Sequence, residues 1–253
     1  MRFVQKYNSA FQANETSQRD TKSLFQLFIL ILLLITVPIA LGADFWEKKE
    51  YKEWKDRECV KMLTDSPWAK AYNMSQGSDP SSSLDGNLPY IRYTVRFNSA
   101  LPVRQATIRM AQINNKYDDL SDEQKKQFDQ QTNPYLATAF PDIILIQVEY
   151  TTNVRNHQIP LINHWQQKTT EHIKNSTYLY GSKDTKIPLI EFVPPQGNSA
   201  TFQLIFPRQH EGLPVVTADD KSMKLEFLAY PNDEEILLDF KVKDMTIDGE
   251  VIY

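Results

Sequence analysis

Ile143–Tyr150 reads IILIQVEY and carries the strongest strand signal in the chain. Its opening residues are continuously apolar. A strand of that kind is expected at the centre of a sheet, covered on both faces. Upstream, Ile91–Asn98 alternates Ile91, Tyr93, Val95 and Phe97 with polar residues, the pattern of a half-buried strand. Between the two, Leu101–Asn114 reads as a helix with Pro102 in its first turn and Ala106, Met110 and Ile113 on one face. Ser121-Asp122-Glu123-Gln124 forms a capping box for a short polar helix that Asn133-Pro134 is expected to stop.

Downstream, Leu161–Lys174 reads as one helix, with Ile162, Trp165, Thr169 and Ile173 on a face. From Thr177 the pattern turns to β. Strands are expected at 177–180, 187–192, 200–206, 223–229, 236–242 and 246–252, with turn residues such as Gly181-Ser182, Pro231-Asn232-Asp233 and Asp248-Gly249 marking the turns. The fold class is therefore α+β: a largely antiparallel β-sandwich or half-barrel over 90–253, with two or three helices.

The amino-terminal third has a different grammar. Residues 1–23 are polar and aperiodic, and read as a disordered head. Leu24–Ala43, LFQLFILILLLITVPIALGA, is uncharged and long enough to span a bilayer as a helix. The head carries Arg2, Lys6, Arg19 and Lys22 against Glu15 and Asp20, a bias that keeps it cytoplasmic and sends the remainder across. The ending Ala40-Leu41-Gly42 fits a cleavage site, while the long head fits an uncleaved anchor. Both a signal peptide and a signal-anchor remain open, so the carboxy-terminal part is expected to be exported: periplasmic, extracellular, or membrane-tethered.

Residues 44–72 mix charge with Phe45, Trp46, Tyr51, Trp54 and Trp68, and read as a juxtamembrane helical arm. Cys59, Val60, Met62 and Leu63 supply an apolar face. Ser66-Pro67 reads as a second helix start. Trp46, Trp54 and Trp68 are the candidate interaction surface, weighed against an aromatic clamp that holds the arm on the body. Residues 73–89, rich in Ser, Asp, Gly and Pro, read as a linker.

Composition narrows the chemistry. The chain holds 28 basic and 32 acidic residues; the first 43 contain four and two of these, leaving 24 against 30 in the remainder. An acidic domain is a poor nucleic-acid binder, because that affinity comes from neutralising phosphates. The single cysteine, Cys59, excludes an intramolecular disulfide. The seven glycines are scattered, which excludes a dinucleotide fingerprint and a P-loop. No G-x-S-x-G, H-E-x-x-H or C-x-x-C occurs. His164 and His172 are eight apart, not the three or four at which ligands converge on one helix. Asp219-Asp220 and Asp233-Glu234-Glu235 read as solvated turn residues, and Tyr178 with Tyr180 as core. No cofactor, no metal and no catalytic residue is expected.

Glu53-Trp54 followed by Leu63-Thr64-Asp65-Ser66-Pro67-Trp68-Ala69 resembles an EW…LTDSPWA element of uncharacterised exported bacterial proteins. Ser99-Ala100-Leu101-Pro102-Val103-Arg104 resembles their SALP-type segment. Such proteins are sometimes grouped with those carrying a GWxTD domain, although no GWxTD string occurs here. The resemblance implies an exported bacterial protein and carries over no catalytic residue. The leading expectation is a non-enzymatic envelope module that binds another envelope protein. The alternatives are an exported hydrolase of glycan or peptide using a carboxylate pair, and a lipid- or sugar-binding β domain.

Overall fold

The computed structural model describes residues 44–77 and 80–253. The expected head, 1–23, and the apolar segment, 24–43, lie outside the described residues. Among the described residues no helix is long and apolar enough to cross a membrane. Phe45–Tyr253 form one compact unit.

The unit is α+β, and its core lies between two antiparallel sheets. The first sheet is ordered β1 (Ala69–Ser75), β2 (Tyr90–Phe97), β3 (Ile143–Thr152), β7 (Thr201–Pro207), β6 (Glu191–Val193). The second is ordered β11 (Glu234–Lys241), β10 (Ser222–Ala229), β4 (Tyr178–Tyr180), β5 (Lys186–Pro188). Alternate side chains of each strand meet across the gap. Phe97 faces Phe240 at 4.8 Å and Tyr93 faces Phe227 at 5.7 Å, both edge to face. That geometry suits the ring quadrupoles and adds to the burial of the rings.

β3 is central, between β2 and β7, as its sequence implies. It is not covered equally on both faces. Ile144, Ile146, Val148 and Tyr150 are buried, whereas Ile143, Leu145, Gln147 and Glu149 are half-buried. The outer row carries polar groups, and Glu149 pairs with Arg96 of β2 at 2.6 Å.

Helices α1 (Phe45–Lys48), α2 (Asp56–Thr64), α3 (Leu101–Asn114), α4 (Asp122–Ala137), α5 (Gln158–Gln166) and α6 (Thr170–Ile173) complete the unit. α2 packs on α3 and on β1 and β2. The 44–72 arm is therefore part of the body and not a separate domain. The 73–89 linker is also corrected: its first residues belong to β1, which pairs with β2 from Ala69↔Arg96 to Ser75↔Tyr90. AKAYNMS has weak strand propensity, and the ladder with β2 overrides it. The rest of that segment is tied down by Asn153, whose amide donates to Asp85 and to the Leu88 carbonyl and accepts from the Tyr90 N–H.

Five further boundaries depart from expectation. No helix follows Ser66: its hydroxyl donates to the Met62 carbonyl and accepts from the Trp68 N–H, closing a turn into β1. α4 runs on through Pro134 to Ala137, because its last turn is anchored by Tyr135 donating to Asn98 and by Arg104 donating to the Thr138 carbonyl. The helix expected over 161–174 is two helices, split where Thr169 caps α6 through the His172 ring. The strand expected over 187–192 divides between the two sheets as β5 and β6. The stretch 246–252 folds back as β12 (Thr246–Ile247) and β13 (Glu250–Val251). Its turn places Asp248 and Gly249 at φ 51° and 83°, the left-handed pair that a tight hairpin demands. A second small hairpin, β8 (Gln209–His210) with β9 (Leu213–Pro214), gave no strand signal in the sequence.

Candidate functional site

The arm closes on the body through its aromatics. Phe45 meets Trp46 at 4.9 Å and Trp54 at 5.2 Å, and Trp46 meets Trp68 at 5.8 Å, all edge to face. Trp54 is 1% exposed; its indole N–H donates to the Lys49 carbonyl, and its own carbonyl accepts from Arg109 of α3 at 3.0 Å. Trp68 is fully buried and donates to the Ile252 carbonyl at 2.6 Å. The three tryptophans expected to form a surface thus act first as the clamp. Trp68 belongs to the core, and Trp46 alone is half-buried. Burial wins because an indole removes a large apolar area from water while both N–H groups find a carbonyl.

The clamp leaves a groove of about 600 Å³. Trp46, Tyr51 and Trp54 line it from the arm, Leu101 and Pro102 from the start of α3, and Ile252 from the carboxy-terminal segment. Leu101 is 40% exposed although it opens a helix that is otherwise well packed. The rim is charged: Glu47, Glu50, Glu53 and Asp248 against Lys48 and Lys49, a net of −2. Burial and then the Asp129 carboxylate push the Tyr51 phenol up, so it remains a neutral hydroxyl. Aromatic and aliphatic side chains beside an acidic rim are chemically suited to an apolar side chain flanked by basic ones.

The groove brings Trp46 and Trp54 together and leaves Trp68 beneath them. Leu101 and Ile252 were not legible as site residues. Ile252 reaches it because its carbonyl accepts from Trp68, 184 positions away in sequence.

A second, smaller cavity of about 120 Å³ lies under α5 and α6. His164, His172, Lys168 and Asp233 line it together with Trp165, Phe202 and Phe227. The His164 ring packs on Trp165 at 5.0 Å and on Tyr230 at 5.1 Å. Burial holds the His164 imidazole below its usual pKa; Lys168 adds to this and Asp233 opposes it. Its folded value is depressed, so the unfolded chain takes the proton first as pH falls. The stability that neutral His164 contributes is complete above about pH 6.5 and is lost as pH falls through the folded value. Urea midpoints should therefore fall from pH 7 to pH 5, and fall less in His164→Gln. Equal falls in both proteins would remove His164 as the cause.

The remaining candidates are structural. Cys59 is fully buried and burial pushes its thiol up to about 11, so no thiolate is available for nucleophilic work. Tyr178 and Tyr180 are not core: Leu179 between them is buried, while both rings are half-buried on the outer face, with the Lys186 ammonium 3.5 Å from the Tyr178 centroid. Asp220 is bonded by Ser182 and by the Thr217 hydroxyl and N–H, which marks it as a loop staple. Among the described residues no group of three or more His, Cys, Asp or Glu is placed to hold a metal ion.

The two segments that carry the family resemblance meet in this region. The Phe97 N–H just before Ser99 donates to the Trp68 carbonyl. Arg104, buried, donates to the Asn98, Ser99 and Thr138 carbonyls. Their residues secure the arm, α3 and α4 to one another. Compared with models of protein families, with curated proteins and with solved structures, the chain shows no match.

Proposed function

We propose that this chain is an exported envelope protein whose folded part is a non-enzymatic protein-interaction module, and that its partner docks in the groove between the arm and α3. The observation that carries this reading is the groove itself. Aromatic and aliphatic side chains meet there behind an acidic rim, at a size that accepts an apolar anchor residue. Leu237, on the outer face of the edge strand β11, is a lesser exposed apolar feature and lacks such a concavity. The cavity beside His164 supports a carrier or a hydrolase less well. At about 120 Å³ it has room for roughly four waters rather than a lipid chain or a sugar. The partner matched by the rim is a protein segment with an apolar residue between basic ones.

A photo-reactive benzoylphenylalanine in place of Leu101, in intact cells, tests this. The expected result is one discrete adduct, absent when the probe replaces the equally apolar, exposed Ile159. Reversing the rim with Glu50→Lys and Glu53→Lys should reduce the adduct about tenfold or more, because like charges then face each other, while the melting temperature stays unchanged. The same smear from both probe positions, or no adduct at Leu101, would sink the reading.

A further inference from the structure

Four lysines gather where the two sheets come side by side. Lys70 extends from β1, Lys221 immediately precedes β10, Lys241 ends β11, and Lys243 lies in the turn that follows. Together they line a groove of about 630 Å³. Lys221 is locked to that turn by the Val242 N–H donating to its carbonyl. Lys70 reaches across the seam and lies 5.5 Å from the centroid of the Phe240 ring. Residues about 150 apart in sequence are thus brought to one concavity, in a domain that is acidic as a whole.

The charges there are not neutralised. Among the described residues, the ion pairs at Lys49, Arg96, Arg109, Lys174 and Lys224 include none of the four groove lysines. Two carboxylates share the groove. Asp220 is already bonded by Ser182 and Thr217. Asp239 sits opposite Lys224 across the ladder. The groove is left with a local surplus of two positive charges. A surplus of positive charge along one concavity favours an anion that enters.

We propose that this groove binds a phosphate-bearing ligand with an apolar portion. The four cations are all lysines. An ammonium is a compact charge with three rotatable donors and meets phosphate as a point charge, whereas planar carboxylates are matched better by the arginine fork. The lysine stems give the groove an apolar lining beneath the charges. Its size falls in the range of small-ligand sites. This is a second site, independent of the groove at the arm.

The test titrates the purified full chain in neutral detergent with inorganic triphosphate, with dihexanoyl phosphatidylglycerol below its micellar concentration, and with citrate. Binding is followed by calorimetry. Saturable, salt-sensitive binding of at least one phosphate compound is expected, tighter than citrate. Lys221→Gln with Lys241→Gln should weaken it about tenfold or more, since each substitution removes a charged hydrogen-bond donor. Tighter binding of the lipid supports a phosphate carrying an apolar portion, whereas tighter binding of triphosphate overturns the apolar portion. The proposal is overturned if neither phosphate compound saturates or if citrate binds equally well. It is also overturned if Arg57→Gln with Lys126→Gln, which removes two exposed charges elsewhere, weakens binding as much.

Discussion

Trp165→Ala is expected to cost about 3–5 kcal/mol of stability, the range for emptying a buried aromatic site. Trp165 is 2% exposed and projects from α5 into the aromatic centre of the core. Its ring stacks on Phe202 at 4.2 Å, and Tyr93, Tyr150 and Phe192 lie 6.1, 6.5 and 6.3 Å away. These neighbours come from β2, β3, β6 and β7, so one indole joins a helix to four strands of the first sheet. Sheet strands cannot move in to fill the space without breaking their ladders, and the cavity would persist. The Trp165 Nε1 lies near the Tyr93 hydroxyl without meeting it in hydrogen-bonding geometry. Trp165→Phe therefore sacrifices little polar interaction and should keep more than half of the lost stability. Urea denaturation of the two variants measures this. A loss below about 1 kcal/mol in Trp165→Ala would mean that α5 is docked by other contacts.

The elements that could be read from the sequence are those whose own pattern matches their burial. β2 alternates in sequence and buries Ile91, Tyr93, Val95 and Phe97 as that pattern implies, with Thr94 buried as well. α3 begins and ends where Pro102 and its apolar face require. β10 and β11 bury every second residue, as their composition implies. The misread elements depend on distant partners. AKAYNMS becomes β1 only because β2 offers an unpaired edge. α4 passes Pro134 because Asn98 and Arg104 hold its end. The 161–174 helix breaks at a cap made by His172, a residue whose spacing from His164 already spoke against a ligand role. The site shows the same division. The aromatic content of the arm was visible. A clamp was one of its two readings, but the clamp's partners were out of view, because the carbonyl that satisfies Trp68 belongs to Ile252 and the one that satisfies Trp54 lies on a turn at Lys49. The lysine groove was invisible for the same reason. Lys70, Lys221, Lys241 and Lys243 are unremarkable until β1 and β11 lie at one seam.

Gly181→Ala is expected to destabilise the protein by about 3 kcal/mol, although it adds one methyl group. Gly181 has φ −102° and needs no left-handed freedom. Its constraint is the approach of another chain segment. A Cβ there would stand 2.1 Å from the Val215 carbonyl oxygen and 2.9 Å from Val215 Cγ1. Neither can retreat cheaply. The Val215 oxygen accepts from the Ser182 N–H at 2.8 Å, the Val215 N–H donates to the Arg208 carbonyl, and the Val215 side chain is buried. Gly181 is itself held by donating to the Thr185 carbonyl at 3.0 Å. Relief of the overlap requires the 208–220 loop to lift from β4. That movement would also loosen Asp220 from Ser182 and disturb the floor of the lysine groove. Gly197 supplies the contrast: it sits at φ +57° with open space around its Cβ position. Gly197→Ala carries only backbone strain, about 1 kcal/mol. A larger loss in Gly181→Ala than in Gly197→Ala is therefore the signature of close approach. Equal losses would show that the 208–220 loop yields easily, and that the second sheet does not depend on its being strapped down.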